Sequence, residues 1–196
     1  MARPRSEQFL ETKRSILKRA SRVFANVGYL ASTVDDLTEA TGLSRGALYH
    51  YFPSKEALLF EIVHDALTGF LDTMIAAMRS AQDPVEQFRK VTAAIVDRNA
   101  RARDEHAIVL NDINRFSEPN REKLKAIERE IVHRIGDLVM QLDTKGRVNA
   151  SNKSVFAMMY LGVINYTVAW YRPEGEVKPD QYAELVGTLF LSDLRD

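Results

Sequence analysis

No cysteine occurs anywhere in the chain, and that absence excludes disulfide scaffolds, thiolate nucleophiles and thiolate metal sites. A reducing compartment is compatible with it. An excess of charge of one sign is missing too: 27 Lys and Arg balance 27 Asp and Glu. The opening stretch MARPRSEQFLETKR has no apolar core of a secretory signal. Histidine is sparse, with His50, His64, His106 and His133 scattered along the chain. There is no His-Glu-x-x-His, no Gly-x-Ser-x-Gly and no phosphate-binding glycine loop. No metal site and no cofactor are expected, and His106, near a helix start, reads as a surface or structural residue.

Long hydrophobic runs are also scarce. The one segment that needs a membrane test is Ser154 to Tyr171, SVFAMMYLGVINYTVAWY, 18 residues without a formal charge. That length is the lower edge of a spanning helix. Ser154, Asn165, Thr167 and three tyrosines interrupt it, so it reads as a buried helix, with no membrane partner and a cytoplasmic location.

What is present is helical period throughout. Ile16, Leu17, Ala20, Val23, Phe24 and Val27 share one face, followed by Gly28 as a stop. Thr33-Val34-Asp35-Asp36 reads as a capping box opening a short helix to Ala40, closed by Gly42. Ser44 caps a second short helix to Phe52, and Ser54 caps a long one to Ser80. Asp83-Pro84-Val85-Glu86 starts a helix to Asn99. Further helices span about 104–116, 119–142, 152–171 and 179–194, with a linker at 143–150 and a turn at Arg172-Pro173-Glu174-Gly175. No strand-like alternation or internal repeat appears. The expected fold is all-α, about nine helices, with an N-terminal domain at 1–53 and a larger C-terminal domain at 54–196.

Residues 33–52 have the layout of a helix-turn-helix. Val34, Leu37, Ala40, Leu43, Leu48 and Phe52 can form its core, leaving Ser44, Arg45, Gly46, Tyr49 and His50 outward. A helix entering the major groove reads bases from its N-terminal residues. Arg45 can donate twice to guanine, and Gly46 lets backbone approach the bases. Tyr49 and His50 can reach phosphates, as can Thr33 with its neighbouring amides and Lys55 at the start of the next helix. Arg3 and Arg5 are expected in an arm that touches the backbone or minor groove. The charge distribution agrees: residues 1–60 carry nine Lys and Arg against six Asp and Glu.

The stretch 16-ILKRASRVFANVGYLASTVDDLTEATGLSRGALYHYFPSKEALL-59 resembles the TetR family of bacterial transcriptional regulators. The residues that carry the likeness are Ile16, Ala20, Phe24, Gly28-Tyr29, Thr33-Val34, Gly42-Leu43-Ser44, Leu48-Tyr49, Tyr51-Phe52 and Ser54-Lys55-Glu56-Ala57-Leu58. The resemblance implies a homodimer on a pseudo-palindromic operator in double-stranded DNA, released when a small-molecule effector enters the larger domain. It implies phosphate contacts from Tyr49 and Lys55 and base contacts at Arg45 and Gly46. In the larger domain, Val155, Met159, Gly162, Val163, Tyr166, Leu185 and Leu189, with Gly187, are expected to meet their copies as a four-helix bundle. Apolar candidates for an effector pocket are Met74, Met78, Phe88, Ile95, Leu110, Met158 and Trp170, joined by the polar Asn111, Asn114, Arg115 and Asn165.

Two stretches, 107-AIVLNDINRFSEPNREKLKAIERE-130 and 165-NYTVAWYRPEG-175, are similar to regulators of lipid, sterol or aromatic catabolism, several of which sense acyl-CoA thioesters. That likeness implies a largely hydrophobic effector, with Arg115, Arg121 or Arg134 toward its anionic end. The sequence leaves two other readings open: a helical interaction protein without operator binding, and a helical enzyme, although no catalytic motif supports the latter.

Overall fold

The computed structural model describes residues 3–195, and the side chains from Glu7 onward. Ten α-helices make up most of it: α1 Arg3–Val27, α2 Val34–Thr41, α3 Arg45–Tyr51, α4 Lys55–Arg79, α5 Pro84–Arg101, α6 Arg103–Asp112, α7 Asn120–Leu142, α8 Lys153–Asn165, α9 Thr167–Trp170 and α10 Pro179–Arg195. A single 3-10 turn, Ile113–Arg115, follows α6. No strand forms among the described residues.

The expected helix at 152–171 is broken, which is why ten helices stand where about nine were read. The Thr167 hydroxyl donates to the Ile164 carbonyl at 2.6 Å, resetting the chain after α8. Arg103 then holds the short α9 from outside, donating to the carbonyls of Val168 at 2.8 Å and Tyr171 at 2.7 Å. Arg3 and Arg5, expected in an arm, fall in the first turn of α1, and their side chains lie outside the described residues.

The starts of α2, α3, α4 and α5 follow the sequence signals. Thr33 and Asp36 form a reciprocal capping box on α2, and Ser44, Ser54 and Asp83 cap α3, α4 and α5 through their side chains. Gly42 ends α2 at φ 72, a left-handed conformation glycine adopts without a Cβ penalty. Ile16, Ala20 and Phe24 of α1 close over Leu37, Leu48 and Phe52, all nearly fully buried. This small core sets the crossing of α2 and α3.

α4 is the spine. Its first half buries Leu58, Leu59, Ile62 and Val63 beside the front helices, and Lys13 of α1 pairs with Glu61 at 2.8 Å. It also packs on α5, α6 and α7. The body is centred on an aromatic group from three helices. Tyr160 of α8 is fully enclosed, with ring centroids 5.0 Å from Phe88 and 5.4 Å from Phe190. Thr92 donates to the Phe88 carbonyl at 2.7 Å, so the Tyr160 hydroxyl donates to Thr92 Oγ1 at 2.9 Å. Burial pushes the Tyr160 phenol well above its usual range. No helix among the described residues is long and apolar enough to cross a membrane.

Candidate nucleic-acid interface and body cavity

α3 presents one continuous exposed face. Leu48 and the following Phe52 are buried, while Ser44, Arg45, Gly46, Tyr49 and His50 all face solvent. The expected outward set is therefore brought together. A Cβ at Gly46 would meet nothing within 4 Å, so the fold itself does not require a glycine there. Arg45 is held at the edge of this face by Asp35 of α2, 3.0 Å away, in an ion pair exposed on both sides. Such pairs contribute little energy, which leaves the guanidinium easy to redirect. Phe9 of α1 stacks on Tyr51 at 4.7 Å, and both rings meet His50 edge-on, bracing the end of α3.

Two expected phosphate ligands are engaged inside the fold. Lys55 donates to the carbonyls of Tyr29 at 2.7 Å and Ser32 at 2.6 Å and lies 4.5 Å over the Tyr29 ring. It clips the loop after α1 to the start of α4. The Thr33 hydroxyl and amide both donate to Asp36, which holds that carboxyl below its usual range.

The body contains a cavity of about 590 Å³ between α4, α5, α6, α7 and α8. Ala66, Leu67, Phe70, Val109, Leu110, Ile131, Val132, Met158 and Leu161 give it mostly apolar walls. The polar residues on it are Arg98 and Asn99 of α5, Glu105 and His106 of α6, Lys125, Glu128, Arg129 and His133 of α7, and Lys153, Ser154 and Asn165 of α8. Four cations thus face two carboxylates.

Of the residues expected at a ligand site, the cavity gathers Leu110, Met158 and Asn165. It does not include Met78, Phe88, Asn111, Asn114, Arg115 or Trp170. Phe88 is committed to the aromatic core, and Met78 packs against that core. Asn111, Asn114 and Arg115 are exposed: Asn111 lies on the face of α6 opposite the cavity, and Asn114 and Arg115 lie in the 3-10 turn that follows it. Arg115 is bonded to the buried Asp112 beside it. Trp170 lies against Tyr171 and Tyr182 near the surface. Met74 and Ile95 are core. Arg121 and Arg134 pair with Glu118 and Glu130 on the surface of α7.

His106, expected as a surface or structural residue, is partly buried rather than on the surface. It lines the cavity, and its ring Nε2 lies 3.2 Å from Asn165 Oδ1. Burial lowers its pKa and the bond to Asn165 partly offsets that, so it is neutral near pH 7 with the proton on Nε2. Burial likewise pushes the Glu128 carboxyl up, with Lys125 opposing. Arg98 and Asn99 were also missed. The available signal was Gly69, in the interior of α4, where a Cβ would sit 2.5 Å from Arg98 Nη2.

Along α8 and α10 runs a second exposed apolar face. Val155, Met159, Tyr166, Leu185 and Leu189 are between 57 and 68% exposed. Gly162 lies in the open beside them and Val163 is half-buried, whereas Gly187 is buried within the protomer.

Comparison with known proteins agrees with this architecture. Residues 16–62 match the family described as bacterial regulatory proteins, tetR family, and residues 81–194, over half of the chain, match the tetracyclin repressor-like C-terminal domain. The HTH-type transcriptional repressor KstR2 of Rhodococcus jostii (strain RHA1) is 30% identical over 190 residues, covering 91% of this chain and 89% of that protein. KstR2 of Mycobacterium tuberculosis is 38% identical over 78 residues, a match that spans 37% of its length. A TetR-family regulator from Bordetella parapertussis 12822 superimposes with a TM-score of 0.86 at 31% identity, covering 91% of this chain and 93% of its own. The fold is shared with AibR in complex with isovaleryl coenzyme A and operator DNA, at a TM-score of 0.80, 24% identity and coverage of 92% and 98%. These relatives are named as transcriptional repressors and regulators, not as enzymes. The chain belongs to the TetR family of bacterial regulatory proteins and is a helix-turn-helix transcriptional regulator.

Proposed function

We propose that this chain is a cytoplasmic homodimeric repressor that leaves its operator when a small, largely hydrophobic effector fills the cavity between α4 and α8. The observation that carries the reading is the double-sided position of α6. Its Glu105, His106, Val109 and Leu110 line the cavity. Its Ala107, Ile108, Asn111 and Asp112 face a groove shared with Gly28, Tyr29 and Leu30 at the end of α1. An effector that moves α6 therefore presses on the loop that Lys55 ties to α4, and so on the attitude of α3. The effector's leverage is limited to its differential affinity for the two attitudes.

In this reading residues 1–53 form the DNA-binding domain and 54–196 the effector and dimer domain. The face of Val155, Met159, Gly162, Val163, Tyr166, Leu185 and Leu189 meets its copy, since a two-fold protein fits two operator half-sites. Arg45 and Gly46 face bases, and Ser44, Tyr49 and His50 reach the backbone. Thr33 contributes the neighbouring amides of α2, and Lys55 acts by fixing the Tyr29–Ser32 loop. An acyl-CoA thioester is one effector class that suits apolar walls with a cationic surround, and AibR, which shares the fold, is in complex with isovaleryl coenzyme A.

The test is fluorescence anisotropy on DNA from upstream of the chain's own gene, over a salt series. The expected result is a specific complex that weakens with salt and is lost in Arg45→Ala, with native mass spectrometry of the purified protein reporting any bound effector. A failure to form any specific complex at low salt would sink the reading.

A further inference from the structure

We infer that the cavity selects ligands bearing an oxyanion, and that Arg98 is the residue that meets it. This rests on the cavity being the effector site and names a part of the effector that reading leaves open.

Arg98 lies half-buried on the cavity wall, and burial lowers its pKa, with Glu105 and Asp72 the nearest opposing charges. Among the described residues no carboxylate is in ion-pair contact with it. Among the described residues it makes one hydrogen bond, from Nη2 to the Ala66 carbonyl at 3.1 Å. A guanidinium has five N–H donors in a rigid fork shaped for carboxylate or phosphate, so most of this fork is unused. Asn99, the next residue, is buried, and its Nδ2 has no partner at all. That amide is enclosed in protein and out of a ligand's reach as it stands, whereas the free N–H groups of Arg98 line the cavity and can meet an acceptor that arrives with the ligand.

The opposite explanation is that Arg98 only fastens α5 to α4. One bond to a carbonyl needs no charge, and burying a charge to make it is costly. Gly69 of α4 lies beside this guanidinium, where a Cβ would stand 2.5 Å from Nη2, the mobile end of the arginine side chain. The remaining charges point the same way. Arg129 is bonded to Glu122 and Lys153 to Asp137, both partners lying outside the cavity lining, while Lys125 adds a further cation to the wall.

The oxyanion can be a carboxylate on the ligand itself or the phosphates of a thioester carrier, and two matched pairs of probes separate these. Calorimetric binding near neutral pH would compare decanoate with decanol, and decanoyl-CoA with decanoyl-N-acetylcysteamine. The wild type is expected to prefer the anionic member of at least one pair by about tenfold or more. Arg98→Gln, which retains a donor for the Ala66 carbonyl, should abolish that preference, and Arg98→Lys, which retains the charge, should restore part of it. Loss in the first pair assigns a carboxylate, and loss in the second assigns the carrier. A preference that survives intact in Arg98→Gln, or a wild type that binds both members of each pair equally, overturns this inference and leaves the cavity as effector site standing. A wild type that binds none of the four overturns both. Melting curves by circular dichroism for each variant exclude misfolding as the cause.

Discussion

The front of the molecule and its body are built by different means. In the front, α2, α3 and α4 each begin with a side chain that accepts a backbone N–H: Thr33, Ser44 and Ser54. In the body, α6, α7, α8 and α9 have no side-chain cap hydrogen bond. The front is specified residue by residue along the chain, whereas the body beyond α5 is specified by what packs on what. The difference suits the work of each part. A recognition helix must hold its outward residues in one attitude, while a helix that answers an effector gains by having ends that are cheap to shift.

The contrast predicts its largest effect in the body's aromatic centre. Tyr160→Ala removes a fully enclosed ring between Phe88 and Phe190, and it should cost about 3–5 kcal/mol of unfolding free energy. Tyr160→Phe keeps the packing and removes the donor to Thr92, so about 1 kcal/mol is expected. Urea unfolding followed by circular dichroism gives both values. Near-equal costs for the two variants would mean that the hydroxyl, and not the packing, carries the centre.

The same contrast decides what was legible in the sequence. Caps and stops such as Thr33, Gly42, Ser44, Ser54 and Asp83-Pro84 are local signals, and the structure places helix ends at each of them. The outward set on α3 was legible too, because a seven-residue helix with Leu48 fixed inward leaves little choice of phase. The cavity was not. Arg98, Asn99, His106 and Glu128 come from three helices, and nothing in their spacing says that α5, α6 and α7 will leave a space between them. Asn114 and Arg115 look suitable on a continuous helix, but they fall in the 3-10 turn at 113–115, and Asn111 lies on the face of α6 away from the cavity. The break at Tyr166 was equally hidden, since Thr167 and Arg103 make it jointly across the chain.

The second effect falls on binding and not on stability. Gly46→Val places a branched side chain on the exposed face of α3, where a Cβ meets nothing within the protomer. The thermal midpoint should stay close to wild type while operator affinity drops by about 1–3 kcal/mol, the scale of one lost base contact. Melting and anisotropy on the same preparation separate the two. Unchanged operator affinity in the folded variant would place a different face of α3 against DNA.

A third and smaller effect tests the local encoding of the front. Thr33→Ala removes the acceptor for the Asp36 amide and a donor to its carboxylate, at an expected cost of about 1 kcal/mol. Asp36 should then titrate closer to its usual range, which carboxyl resonances followed by NMR would report.

The smallest effect belongs to His106, and its sign follows from burial. The folded state lowers the pKa of this imidazole, so the unfolded chain takes up a proton more readily. Its contribution is fully present above the ordinary value of about 6.5 and is lost as pH falls through that value toward the lower folded pKa. Glu128 works in the other direction: burial raises its pKa, so its contribution is present at low pH and fades as pH rises. The total pH dependence mixes the two, and a difference is needed to isolate the histidine. His106→Gln keeps a donor that can face Asn165 Oδ1 and cannot titrate. Below about pH 6.5 the denaturation midpoint of the wild type should therefore fall relative to that of His106→Gln. Parallel curves over that window would mean that the cavity is wet enough at α6 to solvate an imidazolium, and that its walls are less apolar in solution than Leu110, Val109 and Met158 make them in the fold.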